Sequence, residues 1–110
     1  MHLKDRTAIV TGAGGGLGRS HALMLARMGA KVVVNDMHAE SAERVAEEIR
    51  ALGGEAIGIA ASVTDEAAVA AMVGQAIEKW GRVDILVNNA GILRDKSFAK
   101  MDIADFRAVV

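Results

Sequence analysis

Hydrophobic and polar positions follow two rhythms along this chain. Four short stretches are almost continuously apolar or β-branched: Thr7–Val10, Lys31–Asp36 with three valines at its centre, Glu55–Ala60 and Val83–Asn88. Runs of this kind, lacking a regular polar face, predict strands covered on both sides, as in a parallel sheet. Between them apolar residues recur at helical spacing. Leu17, Met24, Leu25 and Met28 mark a first helix that stops at Gly29. Ala42, Val45, Ile49 and Leu52 line one side of a second, with Glu43, Arg44, Glu47 and Arg50 largely elsewhere and Gly53-Gly54 at its end. Val69, Met72, Val73, Ala76, Ile77 and Trp80 trace a third, ended by Gly81. Thr64 is its expected N-cap, and Asp65 and Glu66 suit the positive end of the helix. A last helix is expected from Asp102, with Ile103, Phe106 and Val110 on one face.

Strands alternating with helices predict an α/β fold, a doubly wound parallel sheet of Rossmann type with right-handed crossovers and helices on both faces. The expected strand order is 3-2-1-4, and its switch point lies between strands 1 and 4. Ligands of such sheets bind outside the carboxyl ends of the strands at that point.

The first strand-to-helix junction reads Thr11-Gly-Ala-Gly-Gly-Gly-Leu-Gly-Arg19, with glycines at positions 12, 14, 15, 16 and 18. Glycines crowded here serve backbone geometry and close approach rather than packing volume. A strand feeding such a turn into a helix aims several N–H groups and the helix's positive end at one spot, which suits a phosphate or pyrophosphate. The spacing differs from G-x-G-x-x-G, because Leu17 stands where the third glycine belongs. It is Thr-Gly-x-x-x-Gly-x-Gly on Thr11, Gly12, Gly16 and Gly18.

Two further stretches fall at the same edge of the predicted sheet. Asp36 closes strand 2, 18 residues after Gly18, close to the ~20 at which an acid meets the adenine ribose. Its carboxylate suits ribose hydroxyls and repels a 2′-phosphate, and Met37, His38 and Ala39 offer no Lys or Arg to neutralise one. The bland alternative is an acid that only starts helix 2. Asn88-Asn89-Ala90-Gly91 follows strand 4; on composition alone it could be a turn, since Asn and Gly tolerate left-handed backbone.

Together, Thr11-Gly12-x-x-x-Gly16-x-Gly18 and Asn88-Asn89-Ala90-Gly91 resemble the N-terminal signature of the short-chain dehydrogenase/reductase family, over Lys4 to Val110. The stretches Val10–Arg19, Val33–Asp36 and Asn88–Asp95 look most like its (3R)-hydroxyacyl-CoA dehydrogenase branch. Beta-ketoacyl carrier-protein reductases and hydroxysteroid dehydrogenases share much of the pattern. The resemblance implies an NAD-dependent exchange of hydride with a secondary alcohol or ketone, a 3-hydroxyacyl thioester being one such substrate. It implies that Gly12, Gly14, Gly15, Gly16 and Gly18 form the phosphate loop, with the Leu17 N–H reaching the pyrophosphate. Asp36 would hold the adenosine ribose. Ser62 and Val63 match an Asp-Val pair that flanks the adenine, and Ser62 lacks the charge that would hold the adenine amino group. Asn88 would brace the central strands; Asn89, Ala90 and Gly91 would line the ribose side of the crevice. The family's catalytic serine and Tyr-x-x-x-Lys pair find no counterpart, since the chain contains no Tyr. Residues 1–110 are therefore expected to be one dinucleotide-binding domain truncated before the catalytic half, without turnover of its own.

Composition adjusts this picture little. A chain of 110 residues, 52% hydrophobic and 25% charged with net charge −1, is ordinary globular material and gives no electrostatic case for nucleic acid or a membrane. With no cysteine, disulfides and thiolate chemistry are excluded, which fits a cytoplasmic protein. His21 and His38 lack companions at ligand spacing, so no metal is expected. Arg94, Asp95 and Lys96 read as a solvated loop, Trp80 as core. An uncovered edge on strand 4 is expected to pair with a second copy, making a homo-oligomer. A methyltransferase would share the glycine loop and the acid but not Asn-Asn-Ala-Gly; a non-catalytic nucleotide-binding module would share everything but turnover.

Overall fold

The computed structural model describes residues 3–89. Their elements run β1 (Thr7–Thr11), α1 (Gly16–Arg27), β2 (Lys31–Asp36), α2 (Ala39–Ala51), β3 (Ala56–Ala60), α3 (Glu66–Trp80) and β4 (Ile85–Asn88). The helix expected from Asp102 lies outside the described residues. All strand pairs are parallel, in the order β3-β2-β1-β4.

Although β1 and β2 read as unbroken apolar runs, their side chains divide with period two. Ala8, Val10, Val32 and Val34 face α1 and α2, where they pack with Ala22, Leu25, Val45 and Ile49. Ile9 and Val33 face α3 and pack with Val69, Met72, Val73 and Ala76. The register sets Ile9 between Val33 on β2 and Leu86 on β4. Burying each such aliphatic side chain stabilises the fold by about 1.5–3 kcal/mol, so both faces of the central strands are held.

The helix faces differ in part from the pattern. The sheet-facing side of α1 is Gly18, Ala22, Leu23 and Leu25, whereas Leu17 and Met24 are exposed. Small residues carry the contact because α1 must lie close to the sheet. Leu52 is also exposed, standing at the C-cap of α2 beyond its buried face. Trp80 is half-buried against the α3 cluster, with the Lys79 ammonium 5.9 Å from its ring centre. The N-cap of α3 is Asp65 rather than Thr64: its side chain accepts from the Ala68 N–H at 3.1 Å.

β4 begins at Ile85, two residues later than its apolar run, because Asp84 leaves the ladder to anchor the sheet's opposite end. The Asp84 N–H donates to the Thr7 carbonyl at 2.9 Å, and its Oδ2 accepts from the Thr7 N–H at 2.9 Å. Arg82 Nε donates to the same carboxylate at 2.8 Å and Arg6 Nη1 at 3.3 Å. Burial alone would raise this carboxyl's pKa; the bonds from Arg82, the Thr7 amide and Arg6 outweigh it and hold the pKa below the ordinary value.

Candidate functional site

The glycine loop starts where β1 ends, at Thr11. Gly12 (φ +59°) and Gly16 (φ +56°) sit in the left-handed region, where a side chain is strained. Between them the chain passes the end of β2. The Ala13 N–H donates to the Asn35 carbonyl at 2.8 Å, and the Gly14 N–H to Asp36 Oδ1 at 3.3 Å. A Cβ on Gly14 would lie 2.7 Å from Ser41 Cβ and 2.8 Å from Asp36 Cγ, and one on Gly18 only 2.1 Å from the Gly12 carbonyl oxygen. At Gly15 and Gly16 nothing lies within 4 Å of such an atom. One side of the loop is pressed against protein and the other is clear.

α1 opens on that loop. Gly15 takes the N-cap position without a side-chain cap, and the first turn holds no acid. The first-turn N–H groups lack intrahelical acceptors, so this helix end can receive an anion. Arg19 turns instead toward α2, where its guanidinium grips both carboxylate oxygens of Glu48 (Nε to Oε1, 2.8 Å). The paired hydrogen bond raises the pKa of Arg19 and lowers that of Glu48.

Asp36 ends β2 with both oxygens engaged from one side. Oδ1 accepts from Gly14, and Oδ2 accepts from the His38 N–H at 3.1 Å. The acid therefore does shape the start of α2, as the bland alternative held, while also reaching the loop. Beside it opens a cavity of about 450 Å³ lined by Gly12, Asn35, Asp36, Met37, His38, Ala61, Ser62, Val63 and Thr64. The Ser62 and Thr64 hydroxyls lie 2.8 Å apart, and the Thr64 N–H donates to Ser62 Oγ at 3.3 Å. Thr64 thus closes a local turn, leaving the cap to Asp65.

On the other flank the Thr11 hydroxyl joins β1 to β4. It donates to Asn88 Oδ1 at 3.0 Å and accepts from the Asn89 N–H at 3.0 Å. Asn89 Nδ2 is buried and has no hydrogen-bond partner among the described residues. Ala90 and Gly91 lie outside the described residues. Of the residues singled out from sequence, Gly12, Asp36, Ser62 and Val63 line the cavity. Gly14 touches Asp36, and Gly15, Gly16, Leu17 and Gly18 form the start of α1 with the Leu17 side chain exposed. Asn35 was not among them. An amide ending a run of three valines on a covered strand was the available signal, since a buried amide needs partners.

A family profile described as short chain dehydrogenase matches residues 6–110. The chain belongs to the short-chain dehydrogenase family. This is a family of NAD(P)-dependent oxidoreductases. The peroxisomal hydratase-dehydrogenase-epimerase of Saccharomyces cerevisiae is 45% identical over 119 residues, which take in 100% of this chain and 13% of the yeast protein. The 7alpha-hydroxysteroid dehydrogenase of Escherichia coli K12 is 46% identical over 107 residues, 97% of this chain and 42% of that enzyme. A solved 7alpha-hydroxysteroid dehydrogenase, complexed with NADH and 7-oxo glycochenodeoxycholic acid, superposes with a TM-score of 0.78 at 41% identity, covering 89% of this chain and 41% of that one. The short-chain dehydrogenase segment described here spans less than half the length of these relatives.

Proposed function

We propose that residues 1–110 form the NAD-binding part of a dehydrogenase that interconverts a secondary alcohol and a ketone. The observation that carries the reading is the Asp36 carboxylate, which lines the cavity within reach of the glycine loop. A dinucleotide fits the residues present. The clear side at Gly15 and Gly16 leaves room for a pyrophosphate, whose charge the uncapped start of α1 favours. Gly12, Gly14, Gly16 and Gly18 keep the loop in shape, and the Leu17 N–H belongs to the exposed first turn. Asp36 accepts from the two ribose hydroxyls of the adenosine, with Ser62 and Val63 forming the wall against the base. We assign Asn89, Ala90 and Gly91 to the ribose side of the crevice, a reading that the unpartnered Asn89 amide supports.

When bound, NAD supplies the hydride acceptor. The chain's own residues bind and orient; the proton-transfer groups of the family are not among these 110 residues. We therefore assign turnover to a longer protein and expect the 11.5 kDa chain alone to oxidise no alcohol. The substrate class we favour is a 3-hydroxyacyl thioester, which the resemblance of Val10–Arg19, Val33–Asp36 and Asn88–Asp95 to the (3R)-hydroxyacyl-CoA dehydrogenase branch supports. A hydroxysteroid is the second reading, supported by the 46% identity to the Escherichia coli enzyme. We also infer a homo-oligomer located in the cytoplasm. The yeast relative's name makes a peroxisome the other address, and among the described residues no helix is long and apolar enough to cross a membrane.

Cofactor choice tests the reading. A carboxylate where the 2′-phosphate would lie is expected to favour NADH over NADPH by at least ~10-fold, or ~1.4 kcal/mol. Calorimetric titration of both cofactors checks this, and Asp36→Ala is expected to narrow the gap. Equal affinities for the parent protein would sink the assignment of Asp36.

A further inference from the structure

One polar residue beside the cavity has no role in the account so far. Asn35 is only 1% exposed, yet it follows three consecutive valines in its strand. Its side-chain Nδ2 donates to the Ile59 carbonyl at 3.1 Å and to the Ala61 carbonyl at 3.1 Å. Because both partners are acceptors, the amide must present nitrogen there, and its two N–H bonds are both used. Its own backbone carbonyl accepts from the Ala13 N–H of the glycine loop at 2.8 Å. The next residue, Asp36, takes the Ala61 N–H on its carbonyl at 3.0 Å. A single buried residue therefore ties together the loop after β1, the end of β2 and the segment leaving β3. Those are the three walls of the cavity.

We propose that Asn35 is a positioning residue for the adenosine end of the dinucleotide, fixing the span between Asp36 and the Ser62–Val63 wall. This rests on the dinucleotide reading above. Ladder pairing ends at Ala60, whose partner is Asp36, and backbone bonds reach Ala61 only through its N–H. The side-chain amide adds a bond to the Ala61 carbonyl, where the chain turns into the wall. Both carbonyls that its side-chain amide fixes lie on the adenosine side of the proposed site, at the end of β3 and just beyond it. Its removal should therefore be felt by one half of the dinucleotide only.

Asn35→Val suits a covered strand but removes both donors; Asn35→Thr keeps one. In the protein carrying this chain, Asn35→Val is expected to weaken adenosine monophosphate and NADH binding by ~10-fold, with Asn35→Thr between it and the parent. Nicotinamide mononucleotide is expected to bind as in the parent, and in turnover KM for NAD should rise while kcat stays within about two-fold. In the unliganded parent, the Asn35 side-chain amide protons should exchange slowly with solvent, an observation that needs no variant. A folded Asn35→Val that binds adenosine monophosphate like the parent, an equal loss for both halves, or fast exchange of those protons would each overturn the proposal. A parent that binds neither NADH nor adenosine monophosphate would instead overturn the dinucleotide reading beneath it.

Discussion

Helices α1 and α3 rise from the same edge of the sheet, each after the carboxyl end of a strand, yet they begin in opposite ways. α3 satisfies itself: Asp65 caps it and Glu66 adds a second negative charge to the first turn. α1 has glycine at the N-cap, no side-chain cap and no acid in its first turn. Beneath that open start there is no room for a Cβ at Gly14 or Gly18. A helix that answers only to its own stability supplies its own anion. On the dinucleotide reading proposed above, α1 forgoes that stabilisation for a charged ligand, and the surrounding packing keeps its shape.

The contrast can be broken most severely at Gly18. In Gly18→Val the new side chain would meet a backbone oxygen, which cannot rotate away, and we expect a loss of about 3 kcal/mol or more. Urea denaturation measures it; a variant as stable as the parent would show that loop and helix part easily. A sharper test makes α1 resemble α3. Gly15 has extended backbone (φ −178°, ψ 177°) and open space around it, so Gly15→Asp can cap the helix without strain. It is expected to add up to about 1 kcal/mol of stability while weakening NADH binding at least ~10-fold, because its carboxylate occupies the anion's place. Gains in both quantities would mean that the pyrophosphate lies elsewhere. The smallest effect belongs to the reverse change. Asp65→Ala should cost about 1 kcal/mol in thermal or chemical unfolding and leave the NADH dissociation constant where it was.

Much of this architecture was legible because strands of a parallel sheet are covered on both faces and announce themselves as apolar runs. The order of the four strands followed from the alternation with helices, and with it the meeting of the glycine loop and Asp36 at one end of the sheet. What stayed hidden was set by contacts between distant segments. Asn35 looked like the polar end of a strand until the carbonyls of Ile59 and Ala61 came beside it. Asp65 and Thr64 are both competent caps one position apart, and the Ser62 hydroxyl decided between them by engaging Thr64. Of the buried side of α1 the pattern found Leu25 but missed Gly18, Ala22 and Leu23, and the small residues among them give a weak hydrophobic signal. Asp84 fell inside the predicted fourth strand without a role of its own; only the fold brings it to Thr7 and Arg6.

That last contact joins residues 77 positions apart, and it implies a sequence of events in time. The fully buried residues of the α1–α2 face have all been made once the chain reaches Ala56, and β4 adds only the partly buried Ile85 and Val87. The face beneath α3 must wait for Val69 through Leu86, and β4 then has to cross back over β2 and β3 to find the free edge of β1. Closing so long a loop carries an entropic cost that local pairings avoid. During synthesis the first three strands can gather while β4 is still being made, and the clasp around Asp84 is expected to be the last contact made among these four strands. Pulse-labelled hydrogen exchange during refolding should protect the amides of β2 before those of β4; simultaneous protection would mean that the sheet forms all at once.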